Sequence, residues 1–251
     1  MKKVSSSLWS ANEEEKKLSN LNIFCKRLNK KKILSYTNNF SHLWKWSVKK
    51  PELFWSEVWD FTNIKGNRGK IVIKKNKVFH KNSFFPDSKL NYTENLLPKK
   101  NDEIALNFFS ENNLKKKITW KDLYANVCKF SFFLKKLKLK EKDRVAAYVP
   151  NSIEAVTSFL AVAKNGLIWS SCSPDFGNDA VIDRFKQIKP KVLITCDYYQ
   201  YNGKKINILN KIPEILKKIK SIKEVIVFPY FNKFDNKINS KYYDFYSVLK
   251  G

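Results

Sequence analysis

Residues 166–177 read GLIWSSCSPDFG and gather the groups that chemistry most often uses: a thiol, three hydroxyls, a carboxylate, and an aromatic ring beside a glycine. Cys172, set between Ser171 and Ser173, would be a nucleophile if a neighbouring base activated it. The only histidines, His42 and His80, lie far off in sequence, and no GxSxG elbow is present. Cys172 therefore reads as a small buried thiol. The four cysteines, Cys25, Cys128, Cys172 and Cys196, form no CxxC pair, so neither a metal site nor a disulfide framework is expected. Two further charged pairs, Asp143-Arg144 and Asp183-Arg184, read as surface or strand-end ion pairs rather than catalytic groups.

The elements that would position this turn follow from hydrophobic periodicity. Residues 144–149, RVAAYV, form a short apolar strand closed by Pro150. Asn151 can cap the next helix with Glu154 at its third position, Ile153, Val156, Leu160 and Ala163 falling on the buried side and Gly166 ending it. Strands over 167–171, 192–196 and 225–228 alternate with helices over 178–189 and 206–220, the last interrupted or started by Pro213. This alternation predicts an α/β fold with βαβ units around a mostly parallel sheet. Such sheets bind ligands beyond the carboxyl ends of their strands, which is where residues 171–177 fall.

Upstream, residues 104–109 and 117–120 can pair across the polar turn of Ser110, Glu111, Asn112 and Asn113. Thr119 with Asp122 three residues on marks a helix start, and Leu123, Val127, Phe130, Leu134 and Leu137 make its apolar stripe. Residues 41–61 read as two aromatic-rich helices with Pro51 at a first helical position and Phe54, Val58 and Phe61 on one face. A small hairpin is predicted over 71–79 around Lys75-Asn76, followed by an irregular connector ending in a short helix. A boundary near Pro98 divides a leader, 1–98, from an α/β domain, 99–251.

Bulk properties exclude several classes. The chain has 251 residues, 43% of them hydrophobic, enough to bury a core. No run approaches the roughly 18 apolar residues of a membrane span, and acidic residues stand where a signal peptide would be apolar, so a cytoplasmic protein is expected. The net charge of +26 is the footprint of an anion binder. Of the 49 basic residues, however, only Arg27, Arg68, Arg144 and Arg184 are arginine, the residue that phosphate and base readout favour. The lysines are spread along the whole chain among many Asn and Ile residues. We read the charge as solvated surface, and nucleic acid is not expected as a partner.

Four blocks carry a family resemblance: FFPDSKLNYTENLL at 84–97, DRVAAYVPNSIEAV at 143–156, GLIWSSCSPDFG at 166–177 and VIDRFKQIKPKVLITCDYYQYNGK at 181–204. Together they resemble the amino-terminal portion of acetoacetyl-CoA synthetases, acetoacetate:CoA ligases of the adenylate-forming acyl-CoA synthetase superfamily. The LWS at 8–10 and PELFWSEVWDF at 51–61 are similar to that family's leader. The resemblance implies a helical leader followed by the first, truncated part of the AMP-binding α/β domain. It also implies the use of ATP, Mg²⁺ and CoA. A triphosphate-gripping loop needs clustered Gly, Ser, Thr and Lys, whereas the six glycines at 66, 69, 166, 177, 203 and 251 are scattered. The phosphate loop is therefore expected to be absent, and the resemblance implies that the adenylation lysine and the ATP and Mg²⁺ sites are absent from this chain too, with no catalytic or metal-binding residue among the 251 and no ligase activity alone.

In the same family an aromatic-glycine pair after this strand, and basic residues after the next, help seat the CoA nucleotide. Carried over, Phe176, Gly177 and Asn178 would line the adenine and Lys204 would approach a phosphate. Gln200 stands where the family pattern calls for arginine, and glutamine cannot neutralise a phosphate. The bland alternative makes Phe176 a core aromatic and Pro174-Asp175 a plain turn. Two other functional readings stand beside the ligase portion: a split ligase completed by a complementary carboxyl-terminal chain, and a noncatalytic basic domain.

Overall fold

The computed structural model describes residues 8–35, 39–111, 113–231, 233–234 and 237–250. Residues 1–7, on which part of the leader reading rests, and Asn112 of the predicted polar turn lie outside the described residues. The chain divides into two compact units, 1–90 and 91–251.

The first unit holds α1 (Glu13–Leu18), α2 (Asn20–Lys30), α3 (Phe40–Lys49) and α4 (Pro51–Phe61), followed by the short strands β1 (Ile73–Lys74) and β2 (Ser83–Phe84). Asn12 and Glu15 form a reciprocal capping box at α1, and Pro51 opens α4 as predicted. Phe54, Val58 and Phe61 pack on the cluster of Phe24, Cys25, Leu28, Leu34 and Leu43. Phe24 meets Phe61 at 5.1 Å and Phe54 edge-on at 6.2 Å. The hairpin expected around Lys75-Asn76 is wider than its sequence suggests. Ile73 pairs with Phe84, and the Asn76 side chain accepts from Val78 N while its own amide donates to Asn82, closing a loop rather than a two-residue turn.

The second unit begins with α5 (Tyr92–Leu96), β3 (Ile104–Phe109), β4 (Lys115–Thr119) and α6 (Trp120–Lys136). There follow β5 (Arg144–Tyr148), α7 (Ile153–Lys164), β6 (Ile168–Cys172), α8 (Asn178–Ile188) and β7 (Val192–Cys196). The chain continues through β8 (Tyr198–Tyr201), β9 (Lys204–Asn207), α9 (Ile212–Lys218), β10 (Glu224–Phe228), β11 (Tyr243–Asp244) and α10 (Phe245–Lys250). Asn91 and Thr93 donate to the Lys164 and Leu160 carbonyls of α7, so the short helix of the connector belongs with this unit, ahead of Pro98.

Strands β11-β10-β7-β5-β6 form one parallel sheet in that order, an α/β fold. The chain runs outward from β5 to β6 and then crosses back to β7, so right-handed crossovers place α7 on one face and α8 and α9 on the other. Contacts agree: α7 packs on α6, and α8 on α9. Covered on both faces, β7 is buried along its whole length and reads VLITC without alternation.

Local signals explain most boundaries. Thr119 accepts from Asp122 N at 3.0 Å and starts α6, whose stripe buries Leu123, Val127, Phe130 and Leu134. Helix α7 ends at Gly166, φ +67°, with Leu167 N bonded to Val162 O and Gly166 N to Ala163 O, a Schellman closure that needs a left-handed residue. Its start is capped by Ser152, which accepts from Ala155 N, and not by Asn151. Its deepest residues include Glu154, Thr157, Ser158 and Ala161, off the predicted stripe, because α5 and α6 cover it as well as the sheet. The region 206–220 takes a 3₁₀ turn at Leu209–Lys211 and is α-helical only over Ile212–Lys218. Before it runs the β8–β9 hairpin, turned by Asn202 (φ +48°) and Gly203 (φ +70°), the Asn-Gly pair that suits a type I′ turn. Neither predicted Asp-Arg pair forms. Asp143 instead reaches Lys191 at 2.8 Å, and Arg184 turns to Ala180 O.

Glu154 is a buried charge with two partners. Lys116 Nζ donates to it at 3.2 Å and to Tyr230 O at 3.0 Å, and the Tyr246 hydroxyl donates to the same carboxylate oxygen. This joins β4, α7 and α10. Glu154→Leu strands the Lys116 ammonium and should cost about 3 kcal/mol, whereas adding Lys116→Met should return most of it. Urea unfolding of the two single variants and the double variant measures this coupling, and additive losses would contradict it.

Candidate functional site

The end of β6, the segment after β5, helix α7 and strand β8 frame a cavity of about 570 Å³. It lies where the connections after β5 and β7 depart in opposite directions, the topological switch point of an open sheet. Phe159 and Trp169 supply apolar wall, Tyr199 and Tyr201 come from β8, and Ser173 and Asp175 come from the turn after β6. None of the lining residues is Lys or Arg, so the cavity suits neutral or donor-bearing groups better than phosphates. Gln200, only 7% exposed, also lines it; its Oε1 is buried without a partner among the described residues.

The turn owes its shape to a strand residue. Tyr148, fully buried at the end of β5, directs its hydroxyl to the Pro174 carbonyl at 3.1 Å and the Phe176 carbonyl at 2.7 Å, and accepts from Lys211 Nζ at 3.2 Å. Thr195 Oγ1 of β7 in turn donates to the Tyr148 carbonyl at 3.0 Å. Within the turn, Ser173 Oγ donates to Asp175 at 2.7 Å. Burial raises the Tyr148 hydroxyl well above its ordinary value; it raises Tyr199 from 10.0 to about 12, with the adjoining Asp175 carboxylate adding to the rise. Burial likewise lifts the Cys172 thiol, against a smaller opposing pull from Arg184, so Cys172 is no activated nucleophile.

The four residues assigned to CoA fall on two elements. Phe176 is 39% exposed, and the Arg184 guanidinium lies over its ring, 4.3 Å from the centroid. Gly177 is the N-cap of α8 at φ −64°, and a Cβ there would meet nothing within 4 Å, so neither backbone conformation nor crowding demands glycine. Asn178 Nδ2 donates to Glu214 of α9, while its Oδ1 is buried without a partner among the described residues. Lys204 is exposed at the start of β9, beside a hairpin tip whose Asn202 and Gly203 amides donate to the Glu111 carboxylate at 3.1 and 2.9 Å. The cavity itself is lined by residues 171–175 and 199–201 rather than by these four. Sequence reasoning missed Tyr148 and Arg184. A tyrosine closing an otherwise apolar strand is a usable signal for the first, since a buried hydroxyl needs acceptors.

None of the four cysteines is in a disulfide, and among the described residues no cluster of three His, Cys, Asp or Glu side chains could hold a metal. No described helix is long and apolar enough to cross a membrane.

Residues 94–243 match the family described as AMP-binding enzyme. The chain belongs to that AMP-binding family. Within it, the chain is 37% identical over 221 residues to an acetoacetyl-CoA synthetase of Xenopus tropicalis, a match covering 86% of this chain and 33% of the relative. It is 40% identical over 196 residues to the acetoacetyl-CoA synthetase of Gallus gallus, covering 76% and 29%. The solved acetoacetyl-CoA synthetase from Streptomyces lividans superposes with a TM-score of 0.88 at 27% identity, over 97% of this chain and 38% of that one. The chain thus spans about a third of the length of the curated relatives it matches.

Two outcomes test the role of Tyr148 and its neighbours. Tyr148→Phe keeps the ring but removes the turn's donor, and should lower stability by about 1–2 kcal/mol in thermal or urea unfolding. Since Tyr148 and Tyr199 keep their protons in the fold past the pH at which an unfolded tyrosine loses its own, the folded state binds more protons as pH climbs from 10.0 toward about 12. Stability should therefore fall with rising pH across that window, and fall less steeply in Tyr148→Phe.

Proposed function

We propose that this chain is the amino-terminal portion of an acetoacetate:CoA ligase. In that reaction ATP, acetoacetate and CoA become acetoacetyl-CoA, AMP and pyrophosphate through an acyl-adenylate. The observation that carries the reading is the ordered match of nearly the whole chain, leader included, to acetoacetyl-CoA synthetases in both sequence and fold. Within this reading the portion supplies scaffold and part of the CoA seat. Phe176 and Gly177, next in sequence to the cavity-lining Asp175, offer an aromatic face and open backbone, Asn178 follows them on α8, Lys204 stands on the β8–β9 hairpin, and a cavity wall without Lys or Arg suits the amide-bearing arm of CoA.

Chemistry at the α-phosphate needs a loop and cations to hold the triphosphate and stabilise the departing pyrophosphate. The six scattered glycines provide no such loop in these 251 residues. The purified chain, incubated with ATP, Mg²⁺, acetoacetate and CoA, should release no AMP above background, as read by a coupled AMP assay. Sustained AMP release would overturn the proposed inactivity. Release that begins only when the remaining portion of an acetoacetyl-CoA synthetase is added would show completion in trans.

A further inference from the structure

Arg184 is the cation that the turn after β6 keeps close to itself. Its guanidinium lies against the Phe176 ring, and its Nη1 donates to Ala180 O at 3.0 Å. It forms no ion pair among the described residues, although Asp183 adjoins it in sequence. A guanidinium carries five donors, so most of its donor fork faces solvent at the site's edge. The ring holds the group in place without neutralising it, which reduces the rotamer freedom lost when an anion binds. Because the guanidinium covers a face of Phe176, a planar base reaching the turn meets the cation as well as the ring.

The other candidates are differently placed. Gln200 is neutral and buried, Lys204 stands on a separate hairpin, Lys211 is turned inward to the Tyr148 hydroxyl beneath the turn, and the cavity wall has no cation. We propose that Arg184 is the phosphate-recognising residue of this site, receiving the phosphorylated adenosine end of CoA beside Phe176. The inference rests on the CoA reading of the turn given above. It assigns discrimination between phosphorylated and unphosphorylated forms to a residue of α8.

The test titrates the 251-residue chain with CoA and with dephospho-CoA, which lacks the 3′-phosphate, by calorimetry at low ionic strength. The original chain is expected to bind CoA more tightly than dephospho-CoA. Arg184→Ala should weaken CoA binding about tenfold, the loss expected for a charge-assisted contact, and bring the two ligands to equal affinity. Arg184→Lys should recover part of the difference. Preserved discrimination in Arg184→Ala, or equal loss for both ligands, overturns the assignment, the latter marking Arg184 as a prop for the ring alone. If Phe176→Ala weakens both ligands while Arg184→Ala changes neither, the CoA reading stands and this inference falls. If the original chain binds no CoA, or Phe176→Ala has no effect on binding, the CoA reading falls and takes the inference with it.

Discussion

A parallel sheet cannot leave either face in water, and this constraint shapes the second unit more than any single contact. Its strands are joined by crossovers of one hand, so covering both faces requires the chain to reverse its direction of travel across the sheet. Here the reversal occurs at β5, with β6 laid down on one side and β7, β10 and β11 on the other. The departing connections part above β5 and β7 and leave an opening that no helix fills. The cavity is thus a by-product of burying the sheet, and the residues around it come from α7, from β6 and from the segments that follow the strands.

Position alone does not make an ordered surface, and Tyr148 supplies the order. Residues 173–177 carry few bonds of their own, so a hydroxyl projecting from the sheet fixes two of their carbonyls. Tyr148 is held in turn by Thr195 from the next strand and by Lys211 from the segment before α9. The geometry of the turn is therefore set from the rigid layer beneath it, the arrangement that lets a surface segment present groups at fixed positions. Charge is partitioned alongside: the cavity wall is neutral or acidic, and the nearest guanidinium sits outside it on α8.

Periodicity reported the regular parts well. The alternation of short apolar runs with amphipathic ones gave β5, β6, β7 and β10 and the helices between them, because burial from both sides leaves an unbroken apolar run in a strand. It failed where one element is enclosed on several sides, as at α7, whose buried Glu154 and Thr157 owe their place to β4, α5 and α10 rather than to a helical stripe. It failed too at residues 198–207, where the aromatic and lysine-rich run hid an Asn-Gly hairpin that turn chemistry alone would have disclosed. Of the candidate site, the turn could be placed from strand order and the aromatic-glycine pair picked out by resemblance. The Tyr148 anchor and the Arg184 stack depend on contacts between residues 26 or more and 8 positions apart, so that even where a strand-end tyrosine signals a buried hydroxyl, no local pattern names its partners.

The hairpin tip carries a consequence for the ageing of the protein. An asparagine followed by glycine is prone to spontaneous deamidation, since the glycine amide nitrogen can attack the preceding side chain and close a five-membered imide. In this fold the Gly203 amide is engaged by the Glu111 carboxylate, which also takes the Asn202 amide. A nitrogen whose proton is held by an anion is harder to deprotonate and less free to swing toward the side chain. The same clasp that fastens the hairpin to the β3–β4 turn therefore shields a chemically fragile bond pair, and its loosening would set a slow covalent clock running at that spot.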